Sequence, residues 1–161
     1  MFREMRRKKQ LLSENETKEI LLRNNAGTLA VYGDNGYPYS VPISYVYFNN
    51  KIYFHCAKTG HKLDAITGNN RVSFSIIDKD EIVPEKFTTY FRSIILFGRA
   101  GIVTEKTEFD EAIFQLAKKY SSQVPEDLIS DAIKHSYNNF YVVAIEIDHM
   151  TGKASIELVK E

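Results

Sequence analysis

The sequence predicts an α+β protein built on a small antiparallel β-barrel, closed or split, of six to seven strands with peripheral helices. Three observations support this. Short apolar segments with alternating patterning recur and are joined by tight turns, notably Asp34-Asn35-Gly36 and Asn49-Asn50. Helical periodicity is confined to the beginning of the chain, one short crossover and an insertion at 107–137. Alternating βαβ units, internal repeats and linkers are absent, so the 161 residues are expected to form a single domain, 1–161.

Ser13 opens the capping box Ser13-Glu14-Asn15-Glu16, which predicts a helix from about Glu14 to Arg23, ended by Asn24 and Gly27. Ahead of it lies a basic arm, residues 1–12, where Arg3, Arg6, Arg7, Lys8 and Lys9 face only Glu4. Its basic run has no interleaved aromatic residues, so the arm reads as solvated rather than as an RNA-binding tail. Residues 27–33 (GTLAVYG) read as a strand, with Asp34-Asn35-Gly36 as its hairpin turn. The return strand, Tyr37 to Phe48, places Tyr37, Tyr39, Val41, Ile43, Tyr45 and Tyr47 on one apolar face. Pro38 and Pro42 remove donors from a single edge of that strand. The edge is therefore either a ligand-facing rim or a boundary blunted against aggregation.

Asn49-Asn50 turns the chain into a strand from Lys51 to Cys56. A Thr59-Gly60 turn then opens a helix at His61-Lys62 that runs to about Thr67 and is stopped by Gly68-Asn69-Asn70. Residues 71–78 (RVSFSIID) form a strand with Val72, Phe74 and Ile76 on one face. Residues 79–88 are charged, contain Pro84 and read as a loop, a candidate lid or partner contact. Thr89 to Thr104 is a long apolar strand interrupted by Gly98 and Gly101, as a bend or bulge would require. Thr107 is expected to cap a helix with Phe109, Ala112, Ile113, Leu116, Ala117 and Tyr120 on its apolar face. Pro125 starts another, with Leu128, Ile129, Ala132 and Ile133 buried. Phe140 to Ile147 is the last clear strand, followed by a turn at Met150-Thr151-Gly152-Lys153 and a short strand at Ser155 to Val159.

Composition excludes several functional classes. Lys+Arg and Asp+Glu both number 21, so no global field points to nucleic acid. No apolar run is long enough to span a bilayer and no secretory h-region follows the basic arm, so a cytoplasmic location is the expectation. Cys56 is the only cysteine, which excludes a disulfide framework and multi-cysteine metal sites. His55 and Cys56 are strand neighbours pointing to opposite faces, which disfavours a Cys–His nucleophile. The four histidines include no helical H-x-x-x-H pair, and no metal site is expected. There is no Rossmann fingerprint, no complete P-loop and no nucleophile elbow.

One stretch carries usable chemistry. Residues 54–62 (FHCAKTGHK) place a hydroxyl, a glycine amide, a lysine and the first N–H groups of a helix in one turn. Together they can cradle a phosphate dianion. The plainer alternative is a strand–turn–helix joint with an exposed lysine.

Several segments, in order along nearly the whole chain, carry a resemblance: RRKKQ, GYPYSVPISYVY, KIYFHCAKTGHKLDAI, VSFSIID, TTYFRSIILFGRA and IEIDHMTGKASIELVK. Together they resemble the nitroimidazole-resistance (Nim-type) branch of the pyridoxamine-phosphate-oxidase-like FMN-binding split barrels. The resemblance implies a homodimer with FMN in a groove at its interface. Lys62 would neutralise the phosphate, with Thr59, Gly60 and His61 placed to hydrogen-bond it. His55, Cys56 and Ala57 would run along the ribityl chain and ring, and Val41, Pro42, Ile43, Ser44 and Tyr45 along the isoalloxazine. Arg92 and Ser93 would come from the rim or the partner subunit. The implied activity is that of an FMN-dependent oxidoreductase reducing a small molecule such as a nitroaromatic, with His55 as candidate proton donor. No basic cluster for a second, substrate phosphate is apparent, which departs from the parent oxidase. The alternatives are a non-catalytic flavin- or haem-binding split barrel, a pyridoxamine-phosphate-oxidase-like enzyme with another substrate, and a deazaflavin-dependent reductase.

Overall fold

Tyr45 divides the return strand of the first hairpin in two, and the whole sheet follows from that break. The computed structural model describes residues 1–136 and 139–159. Its elements are α1 (Glu14–Arg23), β1 (Ala26–Tyr32), β2 (Pro38–Ser44), β3 (Val46–Phe48), β4 (Lys51–Ala57), α2 (His61–Gly68), β5 (Arg71–Val83), β6 (Thr88–Ile102), α3 (Lys106–Tyr120), α4 (Glu126–Ser136) and β7 (Phe140–Ala154). All pairings are antiparallel. They form one seven-stranded sheet of order β2-β1-β5-β6-β7-β4-β3. The edge strands β2 and β3 are thus adjacent in sequence across one residue, so the sheet must curl until its edges meet. No ladder joins them. The result is a split barrel.

Local chemistry supports the hairpins. Asn35 (φ 55°) and Gly36 (φ 79°) adopt the positive φ that the first turn needs. Asn49 (φ 48°) and Asn50 (φ 58°) supply the two-residue turn between β3 and β4, where both central residues must have φ > 0. Gly33 N–H donates to the Tyr37 carbonyl at 3.0 Å. By the alternation of an antiparallel ladder, the pairs Tyr32–Pro38 and Thr28–Pro42 are then non-hydrogen-bonded. Both prolines therefore face the free edge of β2 and cost the sheet no ladder bond.

The interior divides into two clusters. Leu29, Ile43, Tyr45, Phe54, Phe74, Leu96 and Ile145 fill the barrel, closed at its ends by Ile20 and Leu21 of α1 and Leu63 and Ile66 of α2. On the outer face of β3, β4 and β7, Val46, Tyr53, Val142 and Ala144 pack against Phe109, Ala112, Ile113 and Leu116 of α3. The outer face of β5 and β6 carries no such layer and exposes Ile77, Ile95 and Phe97.

Several expectations need correction. Tyr37 to Phe48 is two strands rather than one. Residues 79–88 are not a loop: β5 and β6 continue as a paired ribbon to Val83–Thr88, with Pro84 only in the terminal turn. Between 79 and 88 only Val83 is buried, so the ribbon shows no alternation. The register shifts between Ile77 and Lys79, bulging Asp78. The cap of α3 is Glu105, which accepts from Thr107 N–H and Glu108 N–H, rather than Thr107. In α4 Ile129 is buried but Leu128 is exposed. Residue 137, the expected end of the insertion, lies outside the described residues. The segment 150–153 does not turn: β7 runs on to Ala154, paired with β6. Gly152 is required by close approach, since a Cβ there would lie 2.5 Å from Thr17 Oγ1. Residues Ile156–Leu158 form a 3₁₀ turn instead of a strand. The basic arm is also not simply solvated. Leu12 is buried, its N–H donates to the Gly152 carbonyl at 3.0 Å, and Phe2 stacks on His149 at 4.7 Å. No helix among the described residues is long and apolar enough to cross a membrane.

The two glycines of β6 separate a packing requirement from a mere interruption. A Cβ on Gly98 would meet the Glu146 carbonyl oxygen at 2.2 Å, opposite the register shift, whereas one on Gly101 would meet nothing within 4 Å. Gly98→Ala should therefore cost roughly 2 kcal/mol in chemical denaturation and Gly101→Ala close to nothing. Equal midpoints for the two variants would contradict the packing described.

Candidate functional site

Strand β4 ends at Ala57, and four residues later α2 begins. Gly60 is the N-cap, at φ 132° and ψ 162°, and having no side chain it cannot cap. Its carbonyl accepts from Leu63 N–H and Asp64 N–H at 2.9 and 3.2 Å, the last bonds the helix can make at this end. The N–H groups of His61 and Lys62 remain directed out of the first turn. Space in front of Gly60 is open, with nothing within 4 Å of the position a Cβ would take. Open space, uncapped amides and the Lys62 side chain fit a phosphate ester.

Lys62 also sits within electrostatic reach of the β4 end. Burial, then the Lys62 charge, lowers the His55 pKa below 6.5. Burial raises the Cys56 thiol, with Lys62 opposing. The two side chains do point to opposite faces: His55 is directed outward and only partly covered, edge-on to Phe140 at 5.5 Å between centroids, while Cys56 lies in the barrel core. A thiol buried and pushed up in pKa is a poor nucleophile. Among the described residues no group of His, Cys, Asp and Glu has metal-binding geometry.

The anion turn is tied to the free edge of β2. The His61 ring stacks on Tyr39 at 4.1 Å, and His61 Nε2 lies 3.7 Å from the Asp34 carboxylate in the first hairpin turn. From Tyr39 the edge passes Val41, Pro42, Ile43 and Ser44. Pro42 and Ser44 are exposed and Val41 is half-buried, whereas the Ile43 and Tyr45 side chains are turned into the core. Ile43, Tyr45 and Cys56 therefore offer a ligand no side chain, and by the ladder alternation the Ile43 main chain is already paired with Gly27 of β1. For Tyr45 even the main chain is engaged, by the last turn of α3.

Arg92 and Ser93 stand apart from the anion turn. They lie on β6, opposite the bulge at Asp78. Arg92 Nε is 2.7 Å from Asp78 Oδ2, an ion pair rather than an aligned hydrogen bond. Asp78 also accepts from Arg23 and Asn24. Burial alone would raise the Asp78 pKa, but these hydrogen bonds and the Arg23 and Arg92 charges together hold it low. The sequence-predicted residues thus fall into two groups joined by β2, with His55 to Lys62 at one end and Arg92 near the other.

Sequence reasoning missed Tyr39, Asp34 and Asp78, together with Lys119 and Tyr120 at the end of α3. Tyr39 and Tyr120 were counted as apolar-face residues, and the Asp78 bulge leaves no trace in alternation. An open groove of about 720 Å³, lined by Phe2, Tyr32, Tyr37, Pro38, Arg71 and Phe97 among others, contains none of the candidate site residues. It offers an anion one arginine and no helix terminus, so the α2 turn is the better phosphate site.

A family model described as pyridoxamine 5'-phosphate oxidase matches residues 13–154. No curated protein matches. Among solved structures, a conserved hypothetical protein from Mycobacterium tuberculosis is 19% identical with a TM-score of 0.81, over 98% of this chain and 95% of that one. A protein from Bacteroides thetaiotaomicron, provisionally described as a 5-nitroimidazole antibiotic resistance protein, is 21% identical with a TM-score of 0.72, over 89% and 86%. An FAD- and haem-binding protein from Mycobacterium smegmatis is 17% identical with a TM-score of 0.68, over 91% and 73%. At such identities the likeness carries the fold.

The placement of Lys62 has a direct consequence for His55. Its folded pKa lies below 6.5, so protonation opposes folding, and the stability contributed by neutral His55 is lost as pH falls through 6.5 towards the folded value. In the ligand-free protein, Lys62→Ala should move the His55 titration upwards, read from imidazole NMR shifts. An unmoved titration would contradict the adjacency.

Proposed function

The chain belongs to the pyridoxamine 5'-phosphate oxidase family, and we propose that it is a flavoprotein that binds FMN along the free edge of β2. The observation that carries this is the uncapped, open N-terminus of α2, with Lys62 beside it and His61 stacked onto Tyr39 of that edge. Lys62 and the amides of His61 and Lys62 would hold the phosphate, with Thr59 and Gly60 shaping the turn. The exposed edge at Val41 to Ser44 would meet the ring through the outward main-chain groups of Pro42 and Ser44, since Pro38 and Pro42 leave its acceptors in excess of its donors.

Bound flavin supplies hydride or single-electron transfer to a second substrate. The protein's own part is to position and to exclude. His55, lowered in pKa by burial and by Lys62, is largely neutral at pH 7. It is thus better suited to hydrogen-bonding or accepting a proton at the open ring face than to donating one. Phe140 beside it offers an apolar wall for a small aromatic acceptor. A nitroaromatic compound is the acceptor class favoured by the family branch the sequence resembles, and an FMN-dependent oxidoreductase is the activity proposed. A cytoplasmic setting is part of the same reading.

The groove is open on one side, and a second copy is proposed to complete it. The uncovered outer face of β5 and β6 exposes Ile77 (71%), Ile95 (49%) and Phe97 (41%), and the ribbon tip exposes Ile82 (75%) and Phe87 (98%). Such a face suits a homodimer contact. Arg92 and Ser93 lie on β6 and would reach the groove from the partner or its rim.

The purified protein should be yellow or should take up FMN with quenching of flavin fluorescence. Lys62→Ala should weaken FMN binding by about ten- to a hundredfold, the worth of a charge-assisted hydrogen bond to phosphate, while riboflavin binding changes little. An FMN affinity that Lys62→Ala leaves unaltered, or a Soret band in place of flavin absorption, would contradict the assignment.

A further inference from the structure

The last turn of α3 takes up the main-chain polar groups at the break between β2 and β3. Tyr120 Oη accepts the Tyr45 N–H at 2.9 Å. The same oxygen lies 2.9 Å from the Tyr45 carbonyl and also against the carbonyl of Asn25, so its one proton is shared between two acceptors. Lys119 Nζ donates to the carbonyls of Asn24 (2.5 Å) and Tyr45 (3.1 Å) and stands 4.3 Å over the Tyr45 ring. Tyr45 is in turn pinned from inside the barrel, its hydroxyl donating to the Leu21 carbonyl at 2.8 Å.

Strand β2 needs this support. Its only ladder partner is β1, and Pro38 and Pro42 face its other edge. One end is held by the hairpin turn and the Tyr39–His61 stack. The other end has the Tyr45 break and the groups gathered on it. We infer that Lys119 and Tyr120 are positioning residues of the flavin site: by clamping the β2–β3 break they set the register and height of Val41 to Ser44 relative to the anion turn. Neither residue is placed against the ligand. The inference rests on the flavin reading above.

The clamp can be altered without losing α3, which is anchored separately by Phe109, Ala112, Ile113 and Leu116 in the core and by its Glu105 cap. Burial lowers Lys119 to a pKa of about 8. The neutral amine still keeps two N–H groups, enough for both carbonyls, so the contact does not require the charge.

The test titrates FMN into the full chain and its Tyr120→Phe, Lys119→Met and Lys119→Arg variants, and reads amide exchange over residues 38–48 in the same samples without FMN. Tyr120→Phe and Lys119→Met should each speed exchange at Tyr45, weaken FMN binding about tenfold and shift the visible band of the bound flavin. Lys119→Arg should restore all three. Wild-type exchange in Tyr120→Phe would overturn the clamp. Faster exchange with FMN affinity and spectrum unmoved would overturn the positioning role while leaving the flavin reading intact. A wild-type chain that takes up no FMN would overturn the flavin reading, and the positioning role with it, leaving the exchange data to report the clamp alone.

Discussion

One join controls the architecture: a single residue, Tyr45, connects the two edge strands of a seven-stranded sheet. A sheet whose edges must lie one residue apart cannot stay open, and the twist common to all strands lets it close. A ladder between β2 and β3 would have hidden the edge groups. With the split unladdered, the main chain at Tyr45 must find partners elsewhere, and it finds them in the Asn25 carbonyl just ahead of β1 and in the last turn of α3. The helical insertion is therefore bonded into the barrel where the barrel is least self-sufficient.

The same split leaves β2 with a free edge, and the candidate site is distributed along it. At one end the α2 terminus offers amide donors and a lysine; at the other, Asp78 gathers Arg23, Asn24 and Arg92. The two ends differ in kind. The anion turn has open space and uncommitted donors, whereas Arg92 already faces a carboxylate. An anionic group would accordingly be held at the α2 end rather than at Arg92.

Much of the scaffold was legible in local chemistry. The capping box, both asparagine-rich turns and the Gly60 turn declare themselves by residue type, because each needs a side-chain acceptor or a positive φ. The two prolines correctly marked β2 as a boundary of the sheet. What escaped was set by distant partners. The ribbon from Lys79 to Thr89 buries only Val83, so nothing in its pattern separates strand from loop. Gly152 looks like a turn residue, yet it is small only because Thr17 and Leu12 press on it. The contiguous part of the site, 55 to 62, could be read from the chain, since one turn brings all its groups together. Tyr120 and Lys119 could not, because they lie about 75 residues from Tyr45 and carry no motif.

On this proposal the flavin phosphate is held at the start of α2 with the ring along the free edge of β2. A crystal structure of the protein grown with FMN tests it most directly. Phosphate density is expected against the amides of His61 and Lys62, with the ring beside Val41 to Ser44 and a second copy of the chain closing the groove. Flavin seated instead between Phe2, Tyr37 and Phe97, with the α2 turn empty, would contradict it.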